Sequence, residues 1–201
     1  MKKIHVFFLG LILAFLPVCS KSEQNNIIGS GDITSKSNDA FLNTANLTLR
    51  YLKDRDFKEL SLIVHKDKGV VFSPYAFVEE RAVKFTSAKL KALRLSDKFL
   101  WGVYDGSGYP MNLSVDDYFK SFIFDRDFTQ AQQIGIDRLV KTGNTISNID
   151  QVFPKGRFIE YHFPGFDPAY VGMDWASLRL VFEEVGGEFM LVCVVHDAWT
   201  I

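Results

Sequence analysis

The sequence predicts an α+β domain in which a curved antiparallel sheet packs on N-terminal helices. Two observations indicate this class. Apolar residues recur at helical spacing over residues 38–54, whereas strand-like segments come mainly in the later part of the chain. Near the C-terminus, two apolar arms flank Gly186 and Gly187, and such a pair is typical of a β-hairpin turn. Helices followed by strands favour α+β over an alternating α/β fold.

Two helices are predicted at the start of the domain. In residues 38–54, apolar side chains are spaced by four and three positions, so they form one buried stripe. This stripe consists of Phe41, Ala45, Leu49 and Leu52. Asp56 can cap a second short helix. The buried side of that helix would hold Phe57, Leu60 and Val64. Both helices are therefore expected to pack on the sheet.

The middle of the chain is predicted to hold short strands, turns and short helices. Residues 69–75 are rich in strand-forming residues and are closed by Pro74, whereas residues 77–85 favour neither helix nor strand. DGSG, residues 105–108, forms a turn after a predicted strand over 98–104. The remaining predictions are a short basic helix over 86–95, a capped helix from Ser114, and β-like runs over 133–140, 145–152 and 156–163.

The C-terminal hairpin is the clearest predicted element. Its first arm alternates, which indicates a strand with two different faces. One face holds Leu178, Leu180 and Phe182, and the other holds Arg179, Val181 and Glu183. The second arm is apolar on both faces up to His196, so we predict a central strand that is covered on both sides.

Length and charge limit the domain organisation and the partners. A chain of 201 residues supports one domain with a substantial core, which we place at residues 38–201. The formal net charge is −1 at pH 7, and the sequence contains no block of basic residues. Nucleic acid is therefore not an expected partner, because its binding depends on Lys and Arg contacts to phosphates.

The first residues are typical of an export signal. Lys2 and Lys3 provide a positive start, and the apolar stretch after them is shorter than a membrane-spanning helix. We therefore predict a signal peptide over residues 1–18. The polar residues 19–37 carry no periodic pattern and are predicted as a flexible tether.

Cys19 is the predicted site of lipid attachment. The tripeptide LPV before it resembles the start of a bacterial lipobox, although Val18 stands where a smaller residue is usual. A diacylglycerol on Cys19 would anchor the exported protein in the cell membrane or the outer membrane. The alternative is ordinary secretory cleavage before Lys21, which would give a secreted or periplasmic protein.

Few residues in the sequence have the pattern of a catalytic or metal site. His65, His162 and His196 lie in no short ligand spacing such as HxH or HExxH, so neither a metal nor a cofactor is predicted. Adjacent strand residues point to opposite faces, so Asp197 is not expected to pair with His196. Structural, hydrogen-bonded histidines are the favoured interpretation, and a general base is the alternative.

Three other positions each allow two interpretations. Arg179 could bind a carboxylate or phosphate from a concave face, but we favour an ordinary solvent-exposed charge. Asp167 and Asp174 could form an acid–base pair, but both also suit turn and capping positions. Cys193 lies in an apolar run and has no partner cysteine once Cys19 is acylated or removed, so it is predicted to be a buried small hydrophobe.

The segment EYHFPGFDPAYVGMDW, residues 160–175, has an unusual composition. It is too apolar for an ordinary solvated loop and too interrupted by Pro and Gly for a helix or strand. Its aromatic side chains need a surface to cover. Two interpretations remain open: a packed structural flap, or the rim of a ligand pocket.

Long stretches of the chain resemble a family of uncharacterised bacterial exported lipoproteins. They are HKDKGVVFSPYAFV, FLWGVYDGSGYPMNLSVDDYFKSFIFDRDF, GNTISNI, EYHFPGFDPAYVGMDWASLRLVFEE and LVCVVHDAWTI. The resemblance implies export and a cystatin-like, nuclear-transport-factor-2-like cone with a cavity between sheet and helices. It implies no established activity. Lys66 and Cys193 depart from the family pattern, which argues against catalytic roles at both positions.

The leading functional prediction is a non-enzymatic cell-envelope protein that binds a small molecule or a protein in one pocket. The predicted pocket residues are Tyr75, Tyr104, His162, Asp174, Trp175, Arg179 and His196. One alternative is an enzyme that uses His196 or Asp174 as general base, and another is a structural envelope protein without a pocket. The expected partners are this ligand and the membrane, the latter through the N-terminal lipid.

Overall fold

The computed structural model describes residues 30–199 of the chain. The predicted signal peptide over residues 1–18, the predicted lipid site Cys19 and the first part of the predicted tether lie outside the described residues. Residues 200–201, at the end of the predicted domain, lie outside them as well. Within the described part of the chain, no helix is both long and apolar enough to cross a membrane.

The described residues form five α-helices and eight β-strands, with three short helical turns of other types. The helices are α1 Ser30–Asp54, α2 Phe57–Leu60, α3 Ser87–Lys91, α4 Val115–Tyr118 and α5 Ile149–Val152. The strands are β1 Val70–Ser73, β2 Val83–Phe85, β3 Lys98–Val103, β4 Pro110–Ser114, β5 Gln133–Ile136, β6 Gly156–Phe163, β7 Ala176–Val185 and β8 Glu188–Ala198. A π-helical turn spans Phe119–Ile123, and 3₁₀ turns span Phe128–Gln130 and Pro168–Tyr170.

The domain is α+β, as predicted, and its main sheet is curved and open. Six strands follow the order β2-β1-β8-β7-β6-β5, and β3 and β4 form a separate two-stranded ribbon. β1 pairs with β8 in parallel, so the sheet is mixed and the predicted antiparallel arrangement is wrong for this pair, whereas the other four pairs of the main sheet are antiparallel. No short turn joins these two strands, so no hairpin constrains their direction. A bulge between Val181 and Phe182 bends the central β7–β8 ladder.

Helix α1 runs along β6 in the direction of that strand. Arg157, near the start of β6, donates a hydrogen bond to the side chain of Asn38 at 2.8 Å. Further along, the Tyr161 hydroxyl donates to Asn46 at 2.8 Å. The C-terminal end of α1 therefore lies near the end of β6. We call residues 164–175, which follow β6, the Pro/Gly-rich segment.

The buried stripe of α1 is the predicted one, and all four of its side chains belong to the main core. Phe41 meets the ring of Phe182 on β7 edge-on, at 5.6 Å between centroids. The helix begins at Ser30 rather than at residue 38, so the last residues of the predicted tether are helical.

The C-terminal hairpin is confirmed. Gly186 and Gly187 have φ values of +61° and +86°, the left-handed conformation that a two-residue hairpin turn requires. β8 lies between β1 and β7 and is almost entirely buried, so it is the central strand that the sequence predicts. One face of the hairpin packs on the main core with α1, and the other face packs on a smaller apolar cluster around Phe153. Cys193 belongs to that smaller cluster and is fully buried, as predicted, and burial raises its pKa.

Two predicted strands differ from the structure. Residues 145–152 are not a strand, because they contain a loop and α5. Asn148 holds this loop in place: its side chain accepts from the Val78 N–H at 2.7 Å and donates to the Val78 carbonyl at 3.1 Å. The predicted strand over 133–140 ends at Ile136, because Asp137 turns the chain with a φ of +51°.

Candidate functional site

A cleft lies beside the first strand of the sheet. One wall is the β1–β2 connection, within residues 73–82, and the other is β3 with the turn after it, within residues 100–108. The cleft has a volume of about 530 Å³, inside the range of about 300–1,000 Å³ that is typical of small-molecule sites. We call this feature the apolar cleft.

Turn-forming residues fix the first wall of the apolar cleft. Pro74 follows the last residue of β1, and its missing N–H prevents further pairing in the sheet. The Ser73 hydroxyl donates to the carbonyl oxygen of Tyr75 at 2.8 Å and lies 3.2 Å from that of Phe77. This local bonding turns the chain out of the sheet and places the Tyr75 and Phe77 side chains beside the cleft.

The DGSG turn shapes the second wall. Gly106 and Gly108 have φ values of +73° and +68°, so both adopt the left-handed conformation expected for this turn. The Asp105 N–H donates to the Tyr75 hydroxyl oxygen at 2.9 Å, which links the two walls. Burial is the largest influence on the pKa of Tyr75 and raises it, so this hydroxyl stays protonated at neutral pH.

The surface of the apolar cleft is mainly apolar, with a few polar groups. Leu100 and Val103 of β3 are 60% and 55% exposed, so both present apolar surface at the cleft. Trp101 lies beneath them and is buried against Tyr118, with ring centroids 3.7 Å apart. The other groups around the cleft include Phe77, Tyr104, Glu79 and Arg81. Among the described residues, no His or Cys lines the cleft.

The structure separates the predicted pocket residues. Tyr75 and Tyr104 line the apolar cleft. The others lie elsewhere on the sheet or at its end, namely His162, Asp174, Trp175, Arg179 and His196.

Five side chains form a buried network across β6, β7 and β8. Arg179 donates from Nε to Glu160 at 3.0 Å and from Nη2 to Asp197 at 2.6 Å. The Ser177 hydroxyl donates to Glu160 at 2.6 Å, and His162 Nδ1 lies 2.8 Å from the same hydroxyl oxygen. Because the Ser177 proton is directed to Glu160, the proton in the other contact comes from His162 Nδ1. We call these residues the buried network.

Arg179 is fully buried, so the prediction of a solvent-exposed charge is wrong. A segment from the β5–α5 connection covers it. The Val140 N–H donates to Glu160 at 3.0 Å, and Arg179 Nη2 also donates to the Lys141 carbonyl at 3.0 Å. The covering residues lie far from β7 in the sequence, and strand alternation therefore gave no sign of them.

The electrostatics of the buried network suit a structural role. Burial raises the pKa of Asp197, and Arg179 opposes this rise only in part. Burial likewise lowers the pKa of His162, so its imidazole is neutral at pH 7. Ser177 is fully buried, so its hydroxyl cannot reach a substrate in solution.

His196 lies behind the apolar cleft rather than in its lining. Nδ1 is 3.3 Å from the carbonyl oxygen of Pro74, and Nε2 is 3.5 Å from Asp125 Oδ1. The ring meets Phe122 edge-on, with centroids 5.7 Å apart. Asp197 points to the opposite face, as the strand alternation predicts, and there it pairs with Arg179.

The Pro/Gly-rich segment after β6 folds back on itself, and its residues do not line the apolar cleft. Asp174 Oδ2 accepts from the N–H of Asp167 at 2.7 Å and from that of Phe166 at 2.9 Å. These hydrogen bonds, the first above all, hold the pKa of Asp174 below its ordinary value. Trp175 is buried near His162, with ring centroids 5.9 Å apart. The segment is therefore a flap organised by its own hydrogen bonds to Asp174, and its Phe166 and Tyr170 side chains are 45% and 56% exposed.

Sequence reasoning missed most of the cleft lining. Phe77, Glu79 and Arg81 lie in a segment with neither helical nor strand periodicity, and Leu100 and Val103 lie in a predicted strand. The usable signals were Pro74 at the end of one strand and the DGSG turn after the other. Neither signal shows that the two segments face each other.

Within residues 30–199, no group of three or more His, Cys, Asp and Glu side chains is placed to hold a metal ion. In comparisons with known proteins, no family model, no curated protein and no solved structure matches this chain.

Proposed function

We propose that this protein is a non-enzymatic binding protein whose apolar cleft takes a small, largely apolar molecule. The apolar cleft itself carries the proposal, since it is a concave site of suitable volume between two walls that local hydrogen bonds fix. Aromatic side chains on its surface, Tyr75 and Tyr104 among them, favour a ligand with a flat apolar part. Glu79 and Arg81 lie in the lining and would orient a polar end of the ligand.

The positions of the two candidate general bases favour this proposal over an enzyme. His196 is in contact with a backbone carbonyl and with Asp125, and Asp174 accepts two backbone hydrogen bonds inside the flap. A general base needs access to the proton that it removes from the substrate. Neither residue lines the apolar cleft, where a substrate would sit.

A charge on the cleft surface tests the proposal. Leu100→Glu should weaken binding of the neutral apolar dye N-phenyl-1-naphthylamine by tenfold or more, because a carboxylate is poorly compatible with an apolar contact. Fluorescence titration of the full-length protein measures this. Leu62→Glu is the matched control, since Leu62 is 64% exposed, compared with 60% for Leu100, and lies outside the cleft. Equal dye binding by the two variants would contradict the proposal.

We further propose that the protein is exported and held at the cell membrane or outer membrane by a lipid on Cys19. The signal-like residues 1–18 and the lipoprotein-like strings of the domain support this placement. Helices packed on a curved, open sheet also support a relation to the cystatin-like, nuclear-transport-factor-2-like cone.

The lipid anchor has a direct test. Cys19→Ala should move the exported protein from the membrane fraction to the soluble fraction, because the acyl chains supply the membrane affinity. Fractionation followed by immunoblotting measures the distribution, and Ser20→Ala is the control that keeps the cysteine. If Cys19→Ala stays with the membrane as the parent protein does, the lipid is not the anchor.

A further inference from the structure

A second cavity lies between α1 and the β5 side of the sheet. Its volume is about 360 Å³, and the residues around it include Leu49, Arg50, Phe128, Ile134 and Tyr161. β5 forms one edge of the main sheet, whereas the apolar cleft lies beside β1, next to the other edge. The two cavities share no lining residue, so a ligand in one does not compete for space with a ligand in the other. We call this feature the Arg50 cavity.

Arg50 is an uncommitted cation at this cavity. Among the described residues, its guanidinium makes no ion pair and no side-chain hydrogen bond. Lys53, one turn along the helix, is different, since its ammonium group is 2.8 Å from Asp127 and 3.3 Å from Thr129. The neighbouring charges therefore balance each other, and the Arg50 cavity retains a single positive charge.

Asn46 adds an oriented donor to the same cavity. The Tyr161 hydroxyl donates to Asn46 Oδ1 at 2.8 Å, which leaves the amide N–H groups of Asn46 for another acceptor. Burial raises the pKa of Tyr161, so the hydroxyl remains a donor throughout the physiological range and the amide keeps this orientation. The cavity thus combines a cation and an amide donor with apolar side chains.

We propose that the Arg50 cavity binds a monocarboxylate that carries a compact apolar group. The carboxylate would accept hydrogen bonds from the Arg50 guanidinium, whose planar fork matches a carboxylate, and from the Asn46 amide. The apolar group would pack on Leu49, Phe128 and the ring of Tyr161. One uncommitted cation suits a single negative charge better than a phosphate dianion. A volume near the lower end of the small-molecule range suits a group of about one ring.

The test uses 3-phenylpropionate as the probe and the full-length protein, with binding followed by NMR titration. Arg50→Gln should weaken binding by tenfold or more. Arg50→Lys keeps the charge but loses the planar fork, so its affinity should lie between those of the parent protein and Arg50→Gln. Glutamine is a good helix former and position 50 is exposed, so the variant should fold. The parent protein should bind the neutral amide 3-phenylpropanamide at least tenfold more weakly than the acid. The Arg50→Gln variant should bind the amide and the acid with equal affinity.

The apolar-cleft variant Leu100→Glu separates the two sites and should bind 3-phenylpropionate as the parent protein does. Any one of four results would overturn the assignment: no saturable binding of the acid, equal affinity for acid and amide, tighter binding of 3-phenylpropyl phosphate, or loss of binding in Leu100→Glu. A failed dye titration at the apolar cleft would leave this result unaffected, because the probe is different and the deciding variants are at Arg50.

Discussion

Arg179→Met is expected to lower the free energy of unfolding by about 3–5 kcal/mol. The substitution keeps an unbranched side chain but leaves the carboxylates of Glu160 and Asp197 in a buried site without their cation. Removing one partner of a buried ion pair costs more than the pair contributes, because the remaining charge is neither solvated nor paired. Urea denaturation of the full-length protein measures the loss.

The matched control for Arg179→Met is Arg81→Met. Arg81 is an exposed arginine without an ion pair among the described residues, and its replacement should change the free energy of unfolding by no more than about 0.5 kcal/mol. Adding Glu160→Gln and Asp197→Asn to Arg179→Met removes the uncompensated charges and should restore part of the loss. A loss below about 1 kcal/mol for Arg179→Met would mean that the buried network is solvated.

The stability loss in Arg179→Met should also depend on pH. In the parent protein the pKa of Asp197 is raised above its ordinary value by burial, and Arg179 limits that rise. Without Arg179 the folded-state pKa rises further. A carboxyl whose folded pKa is raised destabilises the fold above that pKa, and the penalty disappears as the pH falls toward the unfolded value of about 3.9. The difference between variant and parent should therefore be largest near neutral pH and shrink toward about pH 4.

Patterns within a single segment of the sequence predicted the elements whose structure depends on residues close together in the chain. The alternation of Leu178, Leu180 and Phe182, with two glycines after the arm, was sufficient for the hairpin and its inner face. The stripe on α1 was sufficient for the helix and the side that it buries. In both cases the residues that make the prediction are neighbours in the element that they form.

Contacts between distant segments account for the differences. Arg179 has the pattern of a surface charge, but it is buried, and residues 140–141, far from it in the sequence, bond to it and to its partner Glu160. The parallel pairing of β1 with β8 joins segments near opposite ends of the domain. The apolar cleft likewise depends on the approach of β3 to the β1–β2 connection. No periodicity within one segment encodes such an approach. The sequence therefore indicated Tyr75 and Tyr104 as pocket residues but did not show that their two segments form a cleft.

Gly69 lies against the backbone of β2, and alanine at this position should lower the free energy of unfolding by about 2–5 kcal/mol. Gly69 has a φ of +69°, and a left-handed alanine costs about 1–2 kcal/mol. A methyl group there would also overlap the backbone carbonyl oxygen of Phe85, and overpacking of this kind costs about 1–3 kcal/mol more. Phe85 is buried on β2 and meets Trp101 of the cleft edge-on at 6.0 Å.

Gly186→Ala separates the two contributions, because Gly186 has a similar φ of +61° and no atom within 4 Å of the added methyl group. It should lose only the conformational part, about 1–2 kcal/mol, and should bind the dye N-phenyl-1-naphthylamine as the parent protein does. Gly69→Ala should lose more stability and also bind the dye more weakly, since a shift of Phe85 displaces Trp101. Equal losses in the two variants, measured by urea denaturation, would show that the β1–β2 pairing adapts to the methyl group. The apolar cleft would then not depend on the close approach at Gly69.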